Sequence, residues 1–176
     1  SGETLFIGTY RGLYILEDGI VKKVPDLDNR IYSTIEKNGS IYIGHTGGLS
    51  VLTEDMTVKH LIEGESVNHI YISKAGNIYV TYANYGDFAQ VDLQTGHTRR
   101  FHLLGKQGKS GQPLIRCITE DSDGKSLIFG TYDGLRIYEL NSGKITSVNQ
   151  GNEFGHGLSH YAVESIYSDR AGTLWV

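Results

Sequence analysis

The stretch FGTYDGLRIYEL, Phe129–Leu140, repeats a phrase that the chain first writes as FIGTYRGLYIL, Phe6–Leu16. Both hold Gly-Thr-Tyr, one variable residue, then Gly-Leu. Self-similarity of this kind marks an architecture built from stacked copies of one supersecondary unit. Weaker copies follow. Gly44-His45 leads to Gly48-Leu49, a degenerate copy runs through NIYVTYANYGDFAQVDL from Asn77, and GTLWV, Gly172–Val176, opens a fifth. With Gly8, Gly44, Thr81 and Gly130 as anchors, the spacings are 36, 37 and 49 residues.

Each unit reads as four short strands. An aliphatic run comes first, as in VNHIYIS (Val67–Ser73), IRCITED (Ile115–Asp121) and VESIYSD (Val163–Asp169). A glycine turn (KAG, SDG, RAG) leads to the anchor strand, Gly-Leu opens the third, and a turn such as QTG or NSG precedes the fourth. The runs are β-branched and aromatic and are bounded by Gly, Asn, Asp and Ser. No segment keeps a helical period long enough for a helix. Four antiparallel strands per repeat of about 40–50 residues is the signature of a β-propeller. Face-to-face blades bury both faces of their middle strands, which accounts for unbroken apolar runs such as LIF and IYI. The expected fold is therefore all-β, a β-propeller portion of about four blades' worth. Its approximate blades are 1–26 (partial), 27–64, 65–112, 113–160 and 161–176 (partial). The anchor glycine is expected to allow close approach between blades or a sharp exit from the second strand. A two-sheet sandwich would explain the strands but not the repeated phrase.

Composition narrows the function. The 176 residues carry a net charge of −4, with 16 basic and 20 acidic side chains. No basic excess points to nucleic acid and no Lys/Arg run to a membrane surface. No stretch approaches the roughly 20 apolar residues of a membrane span. Cys117 stands alone, so it forms no internal disulfide and reads as a small core residue.

Motifs for cofactors fail on inspection. GKQGKS (Gly105–Ser110) has Leu103 where a phosphate loop needs its first glycine. DSDG (Asp121–Gly124) lacks the later acidic ligands of a calcium loop and reads as a hairpin turn. His156 and His160 lie in a glycine-rich stretch with no further zinc ligands nearby. NGS (Asn38–Ser40) serves as a glycosylation acceptor or equally as a hairpin turn. No cofactor and no metal are expected. An enzyme would draw on Asp133, Glu153, His156 and His160, but no spacing links them.

The last unit, GLSHYAVESIYSDRAGTLWV (Gly157–Val176), resembles the two-component regulator propeller repeat: Gly-Leu-Ser, a hydrophobic strand, Asp-x-x-Gly, then Leu-Trp-Ile-Gly-Thr and Gly-Leu. Asp169, Gly172, Leu174 and Trp175 occupy the matching places. Gly8-Thr9 with Gly12-Leu13, and Gly130-Thr131 with Gly134-Leu135, match the second half. The third unit lacks Gly-Thr and Gly-Leu, and only the last unit has the Trp. The resemblance implies the periplasmic sensor region of a Bacteroidetes hybrid two-component system. That is a non-catalytic propeller responding to a carbohydrate, working as a homodimer, and joined by a membrane helix to a histidine kinase and regulator. Its rivals are a propeller lyase or hydrolase acting on glycans, and a protein-interaction scaffold.

Strand order locates the ligand. In a four-strand meander the second-to-third loops and the blade-to-blade loops emerge on one face. They are the longer and chemically richer ones, holding Arg11, His45, Tyr82, Asn84, Tyr85 and Asp133. Tyr beside Arg, Asn and Asp suits a sugar, whose apolar faces stack on rings while polar groups bond its hydroxyls. Tyr10 and Tyr132 belong to the repeat and are expected to pack between blades. Tyr82 and Tyr85, where the phrase breaks down, are the first choice for a ligand.

Overall fold

A computed structural model describes residues 4–83, 85–103, 115–149, 157, 158, 160, 162–169 and 171–176. All regular structure among them is strand. The first sheet holds β1 (Leu5–Thr9), β2 (Gly12–Glu17) and β3 (Ile20–Lys23). The second holds β4 (Ile31–Lys37), β5 (Ser40–His45), β6 (Gly48–Leu52) and β7 (Val58–Glu63). The third holds β8 (Val67–Ile72), β9 (Ile78–Tyr82), β10 (Asp87–Val91) and β11 (Thr98–His102). The fourth holds β12 (Ile115–Glu120), β13 (Ser126–Thr131), β14 (Gly134–Glu139) and β15 (Ile145–Val148), and β16 (Tyr167–Ser168) pairs with β17 (Leu174–Trp175). In every sheet the strand order is the chain order, the up-and-down meander of a propeller blade. Contacts divide the chain into two compact units, Ser1–Ile70 with Asp92–His97, and Tyr71–Val91 with Thr98–Val176.

The repeated phrase is a turn recipe. Thr9 Oγ1 donates to the Gly12 carbonyl at 2.8 Å and accepts from the Arg11 N–H at 3.1 Å. Thr131 does the same with Gly134 and Asp133, at 2.8 and 3.1 Å. The Gly-Leu glycines take φ of 123° (Gly12), 148° (Gly48) and 88° (Gly134), which residues with a Cβ rarely adopt. The anchor glycines supply the expected close approach. A Cβ on Gly8 would stand 2.8 Å from Ile31 Cγ2, on Gly44 2.9 Å from the Val67 carbonyl, and on Gly130 2.7 Å from Val163 Cγ1. Each of those neighbours opens the next blade.

The tight turns carry their own caps. Asn38 and Gly39, with φ of 52° and 75°, make the β4–β5 hairpin. Asp121 Oδ1 accepts from the Lys125 and Ser126 N–H groups at 2.8 and 3.1 Å, so DSDG closes a hairpin. Asp169 Oδ1 accepts from Ala171 and Thr173 at 2.9 Å, and its Oδ2 from Trp175 Nε1 at 3.0 Å. The Trp175 bond, then those from the backbone, hold this carboxyl below its usual range. The Asp-x-x-Gly and the tryptophan that follows are thus one hydrogen-bonded turn.

Apolar faces fill the space between sheets of each unit. In the first unit Leu13, Ile15, Val24 and Leu27 bury against Ile41, Ile43 and Leu52. In the second, Phe88 sits at the centre of Tyr79, Phe129 and Tyr138, and Ile128, Leu135 and Val163 form a further cluster with Cys117 at its margin. Burial raises the Cys117 thiol above its ordinary pKa, as for an inert core residue.

Candidate functional site

The register of β10 and β11 builds the site in the second unit. Asp87 faces His102, Phe88 faces Phe101 and Ala89 faces Arg100. Phe88 is fully buried and stacks on Phe101, with centroids 4.8 Å apart and planes inclined by 13°. Side chains alternate along a strand, so Asp87, Arg100 and His102 share the opposite face. Arg100 Nε donates to Asp87 Oδ2 at 3.0 Å, and His102 Nδ1 lies 3.0 Å from Asp87 Oδ1. The Arg100 guanidinium lies 4.3 Å from the Tyr82 ring centroid and 5.4 Å from that of Tyr85. Tyr82 is buried, whereas Tyr85 is 53% exposed. An open aromatic face therefore stands beside a cation held by a carboxylate, a combination that serves ring stacking and hydroxyl recognition together. Asn84 lies outside the described residues.

A second group gathers where β13 turns into β14. The Arg116 guanidinium lies 4.9 Å from the Tyr132 ring centroid and donates to Glu164 Oε2, from Nη2 at 2.6 Å and from Nε at 2.9 Å. Asp133 is exposed, yet its carboxylate takes Arg136 Nη2 at 2.8 Å. Arg136, itself buried, also donates to the carbonyls of Asp133 and Leu135 and to Asn149 Oδ1. Asp133 therefore helps anchor its own turn.

In the first unit Arg11 is exposed on the β1–β2 turn. His45 is only 3% exposed. Its Nδ1 accepts from the Gly47 N–H at 3.1 Å, the bond that Thr9 and Thr131 accept in the other copies, so His45 stands in for the phrase's threonine. The neutral ring then carries its proton on Nε2 and donates to Ser50 Oγ at 2.7 Å, and Ser50 donates to His60 Nδ1 at 2.8 Å.

Burial, and secondarily His60, push the His45 pKa down from 6.5 to about 4. Between those values the unfolded chain binds a proton that the folded chain refuses. Stability is thus fully present above about pH 6.5, falls as the pH drops towards 4, and levels off below; the contribution is about 3 kcal/mol. Urea denaturation at pH 7.5 and pH 4.5 is expected to show this loss, and His45→Gln to remove most of it. An unchanged pH slope in the variant would refute the assignment.

Two expectations about tyrosines reverse. Tyr10 and Tyr132 are 73% and 42% exposed and do not pack between blades, while Tyr82 is 3% exposed. The reason is place in the repeat. β1 and β13 end at the threonine, which leaves the tyrosine after it on the turn, whereas Tyr82 follows the anchor Thr81 and is itself the last residue of β9, the place that Thr9, His45 and Thr131 hold. Asp87, Arg100, His102, Arg116 and Glu164 had no signal in the motifs. The alternation of TRRFH could have placed Arg100 and His102 opposite Phe101, given the register.

A separate cleft of about 660 Å³ opens in the first unit over Ile15, Ile41 and Leu52, among the tight turns. Among the described residues no group of three His, Cys, Asp or Glu side chains could hold a metal ion. His160 is exposed; Glu153, His156 and the segment 105–112 lie outside the described residues.

No family model matches the chain, and no curated protein matches it in sequence. Solved structures do. The extracellular domain of a B. thetaiotaomicron protein assigned to the hybrid two component systems is 26% identical, with a TM-score of 0.74 over 99% of this chain and 24% of its own. A second such extracellular domain from the same organism is 19% identical, with a TM-score of 0.79 over 99% of this chain and 24% of its own. The chain has the propeller fold of two-component extracellular domains. That likeness agrees with the periplasmic placement implied by the repeat. Virginiamycin B lyase from Staphylococcus aureus shares the fold too, at 16% identity and a TM-score of 0.71 over 99% of this chain and 59% of its own. The chain spans about a quarter of the length of the two extracellular domains.

Proposed function

We propose that this two-component-type propeller is part of a non-catalytic periplasmic sensor that binds a carbohydrate and works as a dimer. The observation that carries the reading is Tyr85, an exposed ring beside the Arg100–Asp87 pair on the loop-rich end of its blade. A sugar ring stacks on Tyr85 while Arg100 and Asp87 meet its hydroxyls. The likeness to extracellular domains of two-component systems supports the sensor role.

Isothermal titration with a panel of neutral oligosaccharides tests the proposal. Binding by the wild type is expected, with Tyr85→Ala weakening it about tenfold, the loss of roughly 1.4 kcal/mol of stacking. Because Tyr85 is exposed, the variant should melt with the wild type. No binding by any glycan, or equal binding by the variant, would refute it.

A second reading has one observation in its favour. Asp87 orients His102 through Nδ1 at 3.0 Å, the arrangement that readies an imidazole for proton transfer in an enzyme acting on glycans. Release of unsaturated or reducing ends from a polysaccharide, abolished by His102→Ala, would select that reading over a sensor.

A further inference from the structure

The first unit holds an arginine that two tyrosine rings contact. The Arg30 guanidinium lies 4.1 Å from the Tyr10 ring centroid and 4.8 Å from that of Tyr32. Arg100, Arg116 and Arg136 each meet a carboxylate, on Asp87, Glu164 and Asp133. Among the described residues no acidic side chain pairs with Arg30, and Asp28, two residues before it, is taken by Lys23. Arg30 is exposed, and Tyr10 beside it is 73% exposed.

Backbone contacts fix the cluster in place. The Arg30 carbonyl accepts from the Thr46 N–H at 3.0 Å, and Asn29 Nδ2 donates to Thr46 Oγ1 at 3.4 Å, which ties this segment to the β5–β6 turn. The β4–β5 ladder then slips: Ile31 faces His45, but Ser33 faces Gly44. Tyr32 is the extra residue of a β-bulge, a device that re-aims a side chain and recurs beside functional sites. Tyr10 arrives from the turn of the repeated phrase, next to the exposed Arg11.

We infer that Tyr10, Arg30 and Tyr32 form a receptor for one oxyanion, the carboxylate or sulfate of a small ligand. Ring contacts hold a guanidinium by its charge and use none of its N–H donors in hydrogen bonds to a carboxylate, which leaves the planar fork for bidentate carboxylate or sulfate recognition. A guanidinium already held by rings loses less rotamer freedom on binding. Arg11, exposed on the same turn as Tyr10, adds a second positive charge to this end of the blade. This inference stands on a different unit from the Tyr85 site and does not depend on it.

The test follows the Arg30 Nε–H resonance by NMR while methyl glucuronide, methyl glucoside and inorganic sulfate are titrated into the protein. Saturable shifts with the glucuronide and none with the glucoside assign a carboxylate; larger shifts with sulfate assign a sulfate. Raising the salt from 50 to 300 mM should weaken either. Calorimetry of Arg30→Lys, which keeps the charge but loses the fork, is expected to show about tenfold weaker binding with an unchanged melting temperature. Tyr10→Ala, at an exposed ring, should weaken binding several-fold. Equal shifts with glucuronide and glucoside, no shift with either anion, or full affinity in Arg30→Lys would each overturn the inference.

Discussion

Gly48→Ala is expected to lower the stability by at least about 4 kcal/mol, enough to leave much of the chain insoluble on expression. Gly48 has a φ of 148°, and a Cβ there would stand 1.8 Å from the Ile62 carbonyl oxygen and 2.7 Å from its carbon. Both obstacles are main chain of β7, which pairs with β6 through Gly48 and Glu63. They can withdraw only by breaking that ladder. Gly19→Ala separates the clash from conformational strain, because Gly19 has a φ of 77° but nothing within 4 Å of its would-be Cβ. It should lose only about 1 kcal/mol. Urea midpoints of the two variants decide the matter; equal losses would mean that the carbonyl contact does not dictate the glycine. The same contact recurs at Gly12, with the Leu27 carbonyl oxygen at 2.2 Å, and at Gly134, with that of Val148 at 2.3 Å.

Phe88→Ala should destabilise the second unit by roughly 3–5 kcal/mol. Phe88 is fully buried, and its ring meets Phe101 at 4.8 Å, Phe129 at 4.7 Å and Tyr138 at 5.1 Å. Those neighbours come from β11, β13 and β14, so two sheets of the unit lose their shared contact at once. No single neighbour can collapse into a space bounded by three rings, which places the loss at the upper part of the range for large-to-small substitutions. Phe88→Leu keeps most of the volume and should lose less than half as much. Denaturant melts with an unchanged slope would measure both. A loss under about 1 kcal/mol in Phe88→Ala would show that the cluster is not tightly packed.

The repeated phrase was legible because its physics is local. Gly-Thr-x-x-Gly-Leu encloses two hydrogen bonds between residues two and three apart and one backbone twist, so the chain spells it out wherever the turn recurs. His45 shows the same rule under different letters, since its ring nitrogen makes the bond that the threonine oxygen makes elsewhere. Reading His45 as a loop residue for a ligand missed this, because a histidine's burial is not written beside it.

The candidate sites were legible in part. The break in the phrase at Tyr82–Tyr85 marks the loop beside which Arg100 stands, but not the residues that gather there. Arg100 and His102 join Asp87 only through the β10–β11 register, and Phe101 takes the other face. The bulges that free Tyr32 from the β4–β5 ladder and Arg116 from the β12–β13 ladder carry no mark in IYSTIE or IRCITE.

By itself the sequence determined the blade. Its turns, its strand order and the glycines where main chains meet all rest on contacts between near neighbours or on a steric rule that holds at Gly12, Gly48 and Gly134 alike. Only the tertiary structure decided which tyrosines face solvent and which arginine each one meets. A one-residue change in register carries a side chain from one face of a sheet to the other, and pairing between strands sets that register.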